Sequence, residues 1–426
     1  MAVIRPFAAL RYDPAIIGDV GTVVAPPYDV IDDAHRDSLY DRSPYNVVRL
    51  ILGREADRYV SASACLAKWR GERALVQDAA PALYLYRQDF KVEGTAHHRI
   101  GIIGAVRLEP FENGVIRPHE KTLEGPKEDR LKLMTATRAN LSPIFGLYAG
   151  HSPALEATTD RAEATPPLAD VTDEAAVRHR LWSIGDPEAI ASITAEIGAR
   201  TLYIADGHHR YETALAYRDR ALPSLPEDHP ARYIMMYLCS MADPGLVILP
   251  THRVLSGLAG FNATRLLNGL RELFELRAFP NSDTGTEDLI AAVHSSPPGV
   301  LGLALRGAGS LQLAVLKDPT IVAREVPDMA PAVRRLNVTM LDAIVLRKIL
   351  GLDAAQAAHD GRLRYVKDAH EAIALVRAGR ADVACLLGAT RIEEVASVCD
   401  SGETMPEKST YFFPKLGTGF VFHLLD

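Results

Sequence analysis

The 426-residue chain carries 47 Lys and Arg against 54 Asp and Glu, a formal net charge of −7. That balance argues against a broad basic surface for a DNA backbone, so nucleic acid is not an expected partner. The length exceeds that of a usual single domain, and the 48% hydrophobic and 24% charged content is that of a globular chain with a sizeable core, so two or more compact units are expected.

Cys65, Cys239, Cys385 and Cys399 are scattered without CxxC spacing, which points away from a zinc ribbon or a redox pair and toward buried thiols in a reducing cytosol. The N-terminus lacks the apolar core of a signal peptide, and no run of about 18 apolar residues appears. A cytoplasmic location without membrane contact is expected.

Val23 to Val30 reads as a strand ending in the diproline turn Pro26-Pro27-Tyr28-Asp29, which is either a rigid surface turn or a wall of a site. Asp33 to Tyr40 reads as a helix, Asn46 to Leu52 as an apolar strand and Tyr59 to Lys68 as a helix. The runs 83–90 and 99–108 read as paired strands closed by Glu93-Gly94-Thr95. Pro126 to Thr137 reads as a helix with proline at its first position. Ile144 to Tyr148 is a strand, and residues 150–175, rich in Ala, Thr, Pro and Asp, read as a surface excursion or hairpin. Arg180 to Ile184 is a strand and Asp186 to Ile197 a helix.

Leu202 to Ala205 is a short buried strand that Asp206-Gly207 breaks before a helix over 212–220. The first N–H groups of such a helix lack intrahelical partners, and with the helix dipole they favour an anion. Tyr233 to Ser240 and Leu246 to Leu249 follow as strands. From about residue 255 the pattern changes to a separate α/β unit, with helices at 263–274, 286–294, 337–350, 368–378 and 392–401 and strands at 299–305, 311–316 and 384–388. The segment 405–419 is turn-rich and polar.

Several familiar sites are absent. There is no P-loop: Lys408-Ser409-Thr410 has the Lys-Ser core without the glycine loop. No dinucleotide fingerprint follows an early strand, and no Gly-x-Ser-x-Gly elbow appears. His208 and His209 lack the i, i+4 spacing of a zinc helix. Two stretches stand out. In Pro118-His119-Glu120, a carboxylate and an imidazole share a proline-stiffened turn, as a general base requires; a solvated turn is the plainer alternative. In Asp206-Gly207-His208-His209-Arg210, an acid, two imidazoles and a guanidinium crowd a helix start. Asp206 as an ordinary N-cap is the plainer alternative there. A divalent cation on Asp206 would reconcile its charge with a bound phosphate.

The strings Val24-Ala25-Pro26-Pro27-Tyr28-Asp29-Val30-Ile31, Arg117-Pro118-His119-Glu120-Lys121-Thr122, Ala205 to Ala214 and Met405 to Phe412 resemble the bacterial and archaeal domain-of-unknown-function family 1015 over essentially the whole chain. More remotely, the Pro-His-Glu and Asp-Gly-His-His-Arg turns are similar to the ParB/sulfiredoxin-like superfamily, which includes free serine kinases. That resemblance implies Glu120 as catalytic base, with His119 and His208 at the catalytic centre. It implies Asp206, Gly207, His208, His209 and Arg210 as the nucleotide-phosphate turn, with Mg2+ on Asp206 and ATP or ADP as cofactor. Residues 145–195 then read as an insertion.

The expected architecture is α/β (α+β): a ParB-like phosphate-binding domain with added strands over 1–254 and a C-terminal α/β domain over 255–426. The loop Lys408 to Lys415 reaches back to the cleft, adding Lys408, Ser409 and Thr410 to the nucleotide site. The expected function is nucleotide-dependent phosphorylation of a small hydroxyl substrate, free serine among the candidates. The alternatives are a ParB-like nucleotide-binding regulatory module without phosphoryl transfer, a phosphohydrolase, and a scaffold or DNA-associated protein. A nucleotide and a small hydroxyl substrate are the expected partners, with a homodimer as a further candidate.

Overall fold

Leu83–Val92 and Thr95–Arg107 form the long antiparallel hairpin that their apolar runs predict, in a computed structural model that describes residues 1–122, 124–221 and 225–426. Glu93 and Gly94 both take positive φ, which matches the twist of a two-residue hairpin turn. The fold is mixed α/β, and it has two compact units: Met1–Val247 together with Pro414–Asp426, and Ile248–Phe413.

In the first unit the hairpin lies within a nine-stranded sheet. Its order is Ile116–Arg117, Leu202–Asp206, Ile144–Tyr148, Tyr233–Ser240, Thr95–Arg107, Leu83–Val92, Arg178–Ile184, Ala169–Thr172, with Ile4–Arg5 joined to Thr95–Arg107. Tyr233–Ser240 is buried over nearly its whole length, as a central strand covered on both faces must be. Ile116–Arg117 runs parallel to Leu202–Asp206, with Leu202 opposite Ile116 and Tyr203 opposite Arg117. The two parallel strands therefore deliver the residues that follow each of them to the same end of the sheet.

Three local expectations fail. Asn46 to Leu52 is not a strand. Val48–Ile51 is a helical turn, because Asn46 Oδ1 accepts from Val48 N–H (3.0 Å) and its Nδ2 donates to Thr22 O (2.8 Å). Its apolar residues Val47, Val48, Leu50 and Ile51 are buried on both sides of the half-buried Arg49, and so short a run reads equally as strand. Val23 to Val30 is not a strand: only Ala25 bridges, to Thr418, and the stretch ends in the 3-10 turn Tyr28–Val30. Residues 150–175 hold the helix Pro153–Glu163, capped by Ser152 and started by proline, and the strand Ala169–Thr172, which pairs with Arg178–Ile184 in the hairpin that was one of the two expectations there. Pro126 sits two residues inside the helix Glu124–Thr137 rather than at its start, still within the turn whose N–H groups lack intrahelical partners.

The tail was expected to belong to the C-terminal domain, yet Pro414–Asp426 folds with the first unit. His423–Leu424 pairs with Ala139–Asn140, Thr418 and Ala25 exchange backbone hydrogen bonds, and Phe422 is fully buried against Tyr12. Burying these apolar residues offsets the conformational entropy that leaves most chain ends frayed.

The second unit is a six-stranded antiparallel sheet in the order Phe274–Pro280, Ser310–Leu316, Val300–Leu305, Val383–Leu386, His252–Leu255, Leu363–Val366. The helices Ala263–Leu273, Asp283–His294, Ala369–Arg377 and Ile392–Asp400 accompany it. The helix expected over 337–350 forms as Asn337–Met340 and continues with π geometry over Leu341–Ile349. Among the described residues no helix is long and apolar enough to cross a membrane.

Candidate functional site

Leu202–Asp206 ends in Gly207, and the helix His208–Ala221 begins at once, four residues earlier than its apolar pattern indicates. Its first i to i−4 bond runs from Tyr211 N–H to Gly207 O at 3.0 Å, so the amides before Tyr211 have no such partner within the helix. Gly207 takes φ +94°, and a Cβ there would lie 2.9 Å from Arg210 Nη2 and 3.0 Å from Ile144 Cδ1. Glycine is required both by the backbone angle and by the approach of Arg210.

Parallel pairing sets the Pro118-His119-Glu120 turn beside this one. His119 Nδ1 lies 2.7 Å from the Ile204 carbonyl, so its Nδ1 carries a proton and donates. The His119 backbone N–H donates to His208 Nε2 at 3.2 Å, and the two rings meet edge to face at 4.6 Å between centroids. His119 is 1% exposed and His208 4%. Burial pushes His119 down to about 4, which its bond to Ile204 and the Asp206 charge only partly oppose. Burial, with His119 beside it, drives His208 well below the ordinary imidazole range. Both rings are neutral at pH 7, and they brace the two turns against each other. Glu120, one residue further on, is half-buried. Thr122 Oγ1 (2.7 Å) and Lys127 Nζ (3.1 Å) both donate to Glu212 Oε2, which ties the segment after Glu120 to the same helix.

Asp206 is held by cations on both oxygens. Arg210 Nη2 donates to Oδ2 at 2.9 Å, and Lys415 Nζ donates to Oδ1. Burial alone would raise this carboxyl, but the Lys415 ammonium and the Arg210 guanidinium outweigh it and keep Asp206 well below the usual carboxylate range. Arg210 is fixed further by Ser142 Oγ (3.0 Å) and Pro143 O (2.6 Å).

Lys415 reaches Asp206 because its own backbone is clamped. Gln88 Nε2 donates to Lys415 O (2.9 Å), and Arg99 Nη2 donates to Pro414 O (2.6 Å). Two residues on, Gly417 N–H donates to Tyr86 Oη (3.2 Å). Tyr86 in turn donates to His179 Nδ1 (2.5 Å), whose Nε2 donates to Asp173 Oδ2 (3.0 Å). The buried Tyr86 and His179, anchored on the exposed Asp173, thus pin the segment that presents the lysine.

The structure brings His119, Asp206, Gly207, His208 and Arg210 together, with Glu120 and the half-buried His209 next in sequence to them. Lys408, Ser409 and Thr410 lie in the second unit. Lys408 takes a positive φ there, and the Ser409 hydroxyl is spent on Pro406 O within its own turn. The first-unit lysine from that stretch is Lys415. Both oxygens of Asp206 already take cationic donors, so magnesium on this carboxylate would have to compete with Lys415 and Arg210. Sequence reading also missed Arg130, whose guanidinium stacks 4.1 Å over the Tyr28 ring. Tyr28 belongs to the diproline turn and lines a cavity shared with Arg210.

A family model described as "Protein of unknown function (DUF1015)" matches residues 4–339, most of the chain. The chain belongs to the DUF1015 family. No curated protein matches this DUF1015 chain by sequence. Among solved structures it is similar to a free serine kinase in complex with AMP, at 13% identity and a TM-score of 0.34, over 72% of this chain and 89% of that one. It is similar also to SbnI with C-terminal truncation from Staphylococcus aureus, at 11% identity and a TM-score of 0.36, over 76% and 87% of the two chains. A conserved hypothetical protein from Pyrococcus furiosus aligns at 14% identity and a TM-score of 0.32, over 72% and 92%.

Proposed function

We propose that this DUF1015 protein is a nucleotide-dependent phosphotransferase acting on a small hydroxyl substrate. The observation that supports this reading is the brace between the two turns, His119 Nδ1 on Ile204 O and His119 N–H on His208 Nε2. It sets a turn carrying a carboxylate, Glu120, next to a helix start that favours an anion. ATP or ADP is the proposed donor, its terminal phosphoryl group seated at the amides before Tyr211.

In the reaction the substrate hydroxyl oxygen attacks the terminal phosphorus of the nucleotide. A new O–P bond forms, the bond from phosphorus to the nucleotide's bridging oxygen breaks, and the shorter nucleotide leaves. Glu120 accepts the hydroxyl proton. Arg210 and Lys415 supply positive charge at the turn, and their positions are fixed before substrate arrives, so little reorganisation is needed as charge shifts. His119 and His208, neutral and buried, position the two turns.

The test is phosphoryl transfer from labelled ATP or ADP to serine and a panel of small alcohols. Glu120→Gln is expected to lower turnover by about 10²–10⁴-fold while leaving nucleotide affinity within a few-fold. Full turnover in that variant would remove Glu120 as base, and no product with any acceptor would overturn phosphotransfer itself.

A further inference from the structure

A cavity of about 40 Å³ lies beside the Asp206 turn within the first unit. Its polar wall is Tyr28, Arg130, Asn140, Ser142 and Arg210, and the rest is apolar. Asn140 is 3% exposed. Its Oδ1 accepts from Met235 N–H at 3.0 Å, yet its Nδ2 has no hydrogen-bond partner. A buried amide donor without an acceptor is rare in a folded protein and calls for an explanation. Ser142 Oγ already accepts from Arg210 Nη1, which leaves its O–H as a second donor.

Two guanidinium groups share the wall, Arg130 paired with Asp129 and Arg210 with Asp206. The unpartnered Asn140 amide, the Ser142 hydroxyl and these two cations border a space large enough for a few heavy atoms and too small for a nucleotide.

We propose that this cavity is an oxyanion pocket that takes a carboxylate or phosphoryl group carried by the acceptor substrate. The role as an acceptor subsite rests on the phosphotransfer reading; the binding itself does not. The acceptor is then a hydroxy acid or a hydroxylated phosphate ester, held by its acid group in the pocket with its hydroxyl toward the Asp206 turn.

Asn140→Asp isolates the pocket. It keeps the oxygen that accepts from Met235 N–H and replaces the unpartnered donor with a second carboxylate oxygen. Calorimetric titrations with glycerate, inorganic phosphate and the neutral control glycerol compare wild type with this variant, and unliganded melting checks its fold. Tyr28→Phe serves as a second probe of the wall should Asn140→Asp melt early. Wild type is expected to bind glycerate, phosphate or both, and not glycerol, with affinity at least tenfold weaker in Asn140→Asp. Glycerate binding alone identifies a carboxylate acceptor, and phosphate binding alone a phosphoryl one. Equal affinity in wild type and both variants would overturn the pocket and place the anion at the helix start. No response to either anion would overturn it outright. Anion binding sensitive to Asn140→Asp without any turnover would uphold the pocket and remove phosphotransfer; turnover with no such binding would do the reverse.

Discussion

Lys415 Nζ donates to Asp206 Oδ1 across 209 residues of sequence, while Arg210 Nη2 holds the other oxygen of the same carboxylate. Removing one partner of such a half-buried, charge-assisted pair costs about 1.5–3 kcal/mol. Lys415→Met and Asp206→Asn are each expected to destabilise the protein by that order in chemical denaturation. The double variant should lose less than the sum of the two, with a coupling above about 0.5 kcal/mol. Strict additivity would mean that the pair contributes nothing.

Gly207→Ala should be costly for its size. The φ of +94° and the 2.9 Å approach to Arg210 Nη2 oppose the same methyl group. A loss of about 1–3 kcal/mol is expected. Nucleotide affinity should fall with it, because Arg210 must move to make room. Binding unchanged in a stable Gly207→Ala protein would show that Arg210 plays no part in the site.

The chain Asp173–His179–Tyr86–Gly417 predicts an effect at a distance. Tyr86→Phe deletes both the acceptor for Gly417 N–H and the donor to His179. Amide hydrogen exchange at Gly417 should accelerate by about tenfold or more, and KM for nucleotide should rise as Lys415 loosens. Unaltered exchange at Gly417 would remove the clamp from the account of the site.

Acid should destabilise the fold well above the carboxylate range. Burial pushes His119, His252 and His423 each down to about 4. Between that value and the ordinary imidazole value of about 6.5, the unfolded chain holds protons that the folded chain does not, so stability rises with pH there. Asp342 works in the opposite direction: burial raises it to about 6, so over about pH 4–6 the folded chain keeps a proton the unfolded one has lost. Burial also depresses His208 and raises Asp243; the buried imidazoles outweigh the raised carboxyls, and the midpoint of chemical denaturation should fall between pH 7 and 5. His119→Gln should flatten that fall; a flat profile for the wild type would contradict the burial of these rings.

The two turns were legible in sequence because their signals are local: a glycine after an apolar strand, and a proline before an imidazole and a carboxylate. That they meet followed only from the family resemblance and not from the residues themselves, since it depends on the parallel pairing of Ile116–Arg117 with Leu202–Asp206, a contact made by only two residue pairs. The helical turn Val48–Ile51 was misread because its apolar residues are all buried and the single half-buried Arg49 is too little to reveal a period. Lys415 was hidden for another reason. Its role comes from Gln88, Arg99 and Tyr86 gripping the backbone around it, and nothing in Pro414-Lys415-Leu416-Gly417 carries that information.

The return of the tail to the first unit also sets an order of assembly during synthesis. Asp206 leaves the ribosome 209 residues ahead of its lysine, and all of Ile248–Phe413 is made in between. At about 5–20 residues per second that interval is roughly 10–40 s. Throughout it the nascent chain carries both turns and Arg210 but neither the Lys415 charge nor the strand His423–Leu424. A chain cut short before Lys415 would stay in that state, so the pair with Asp206 can close only after Ile248–Phe413 has been made.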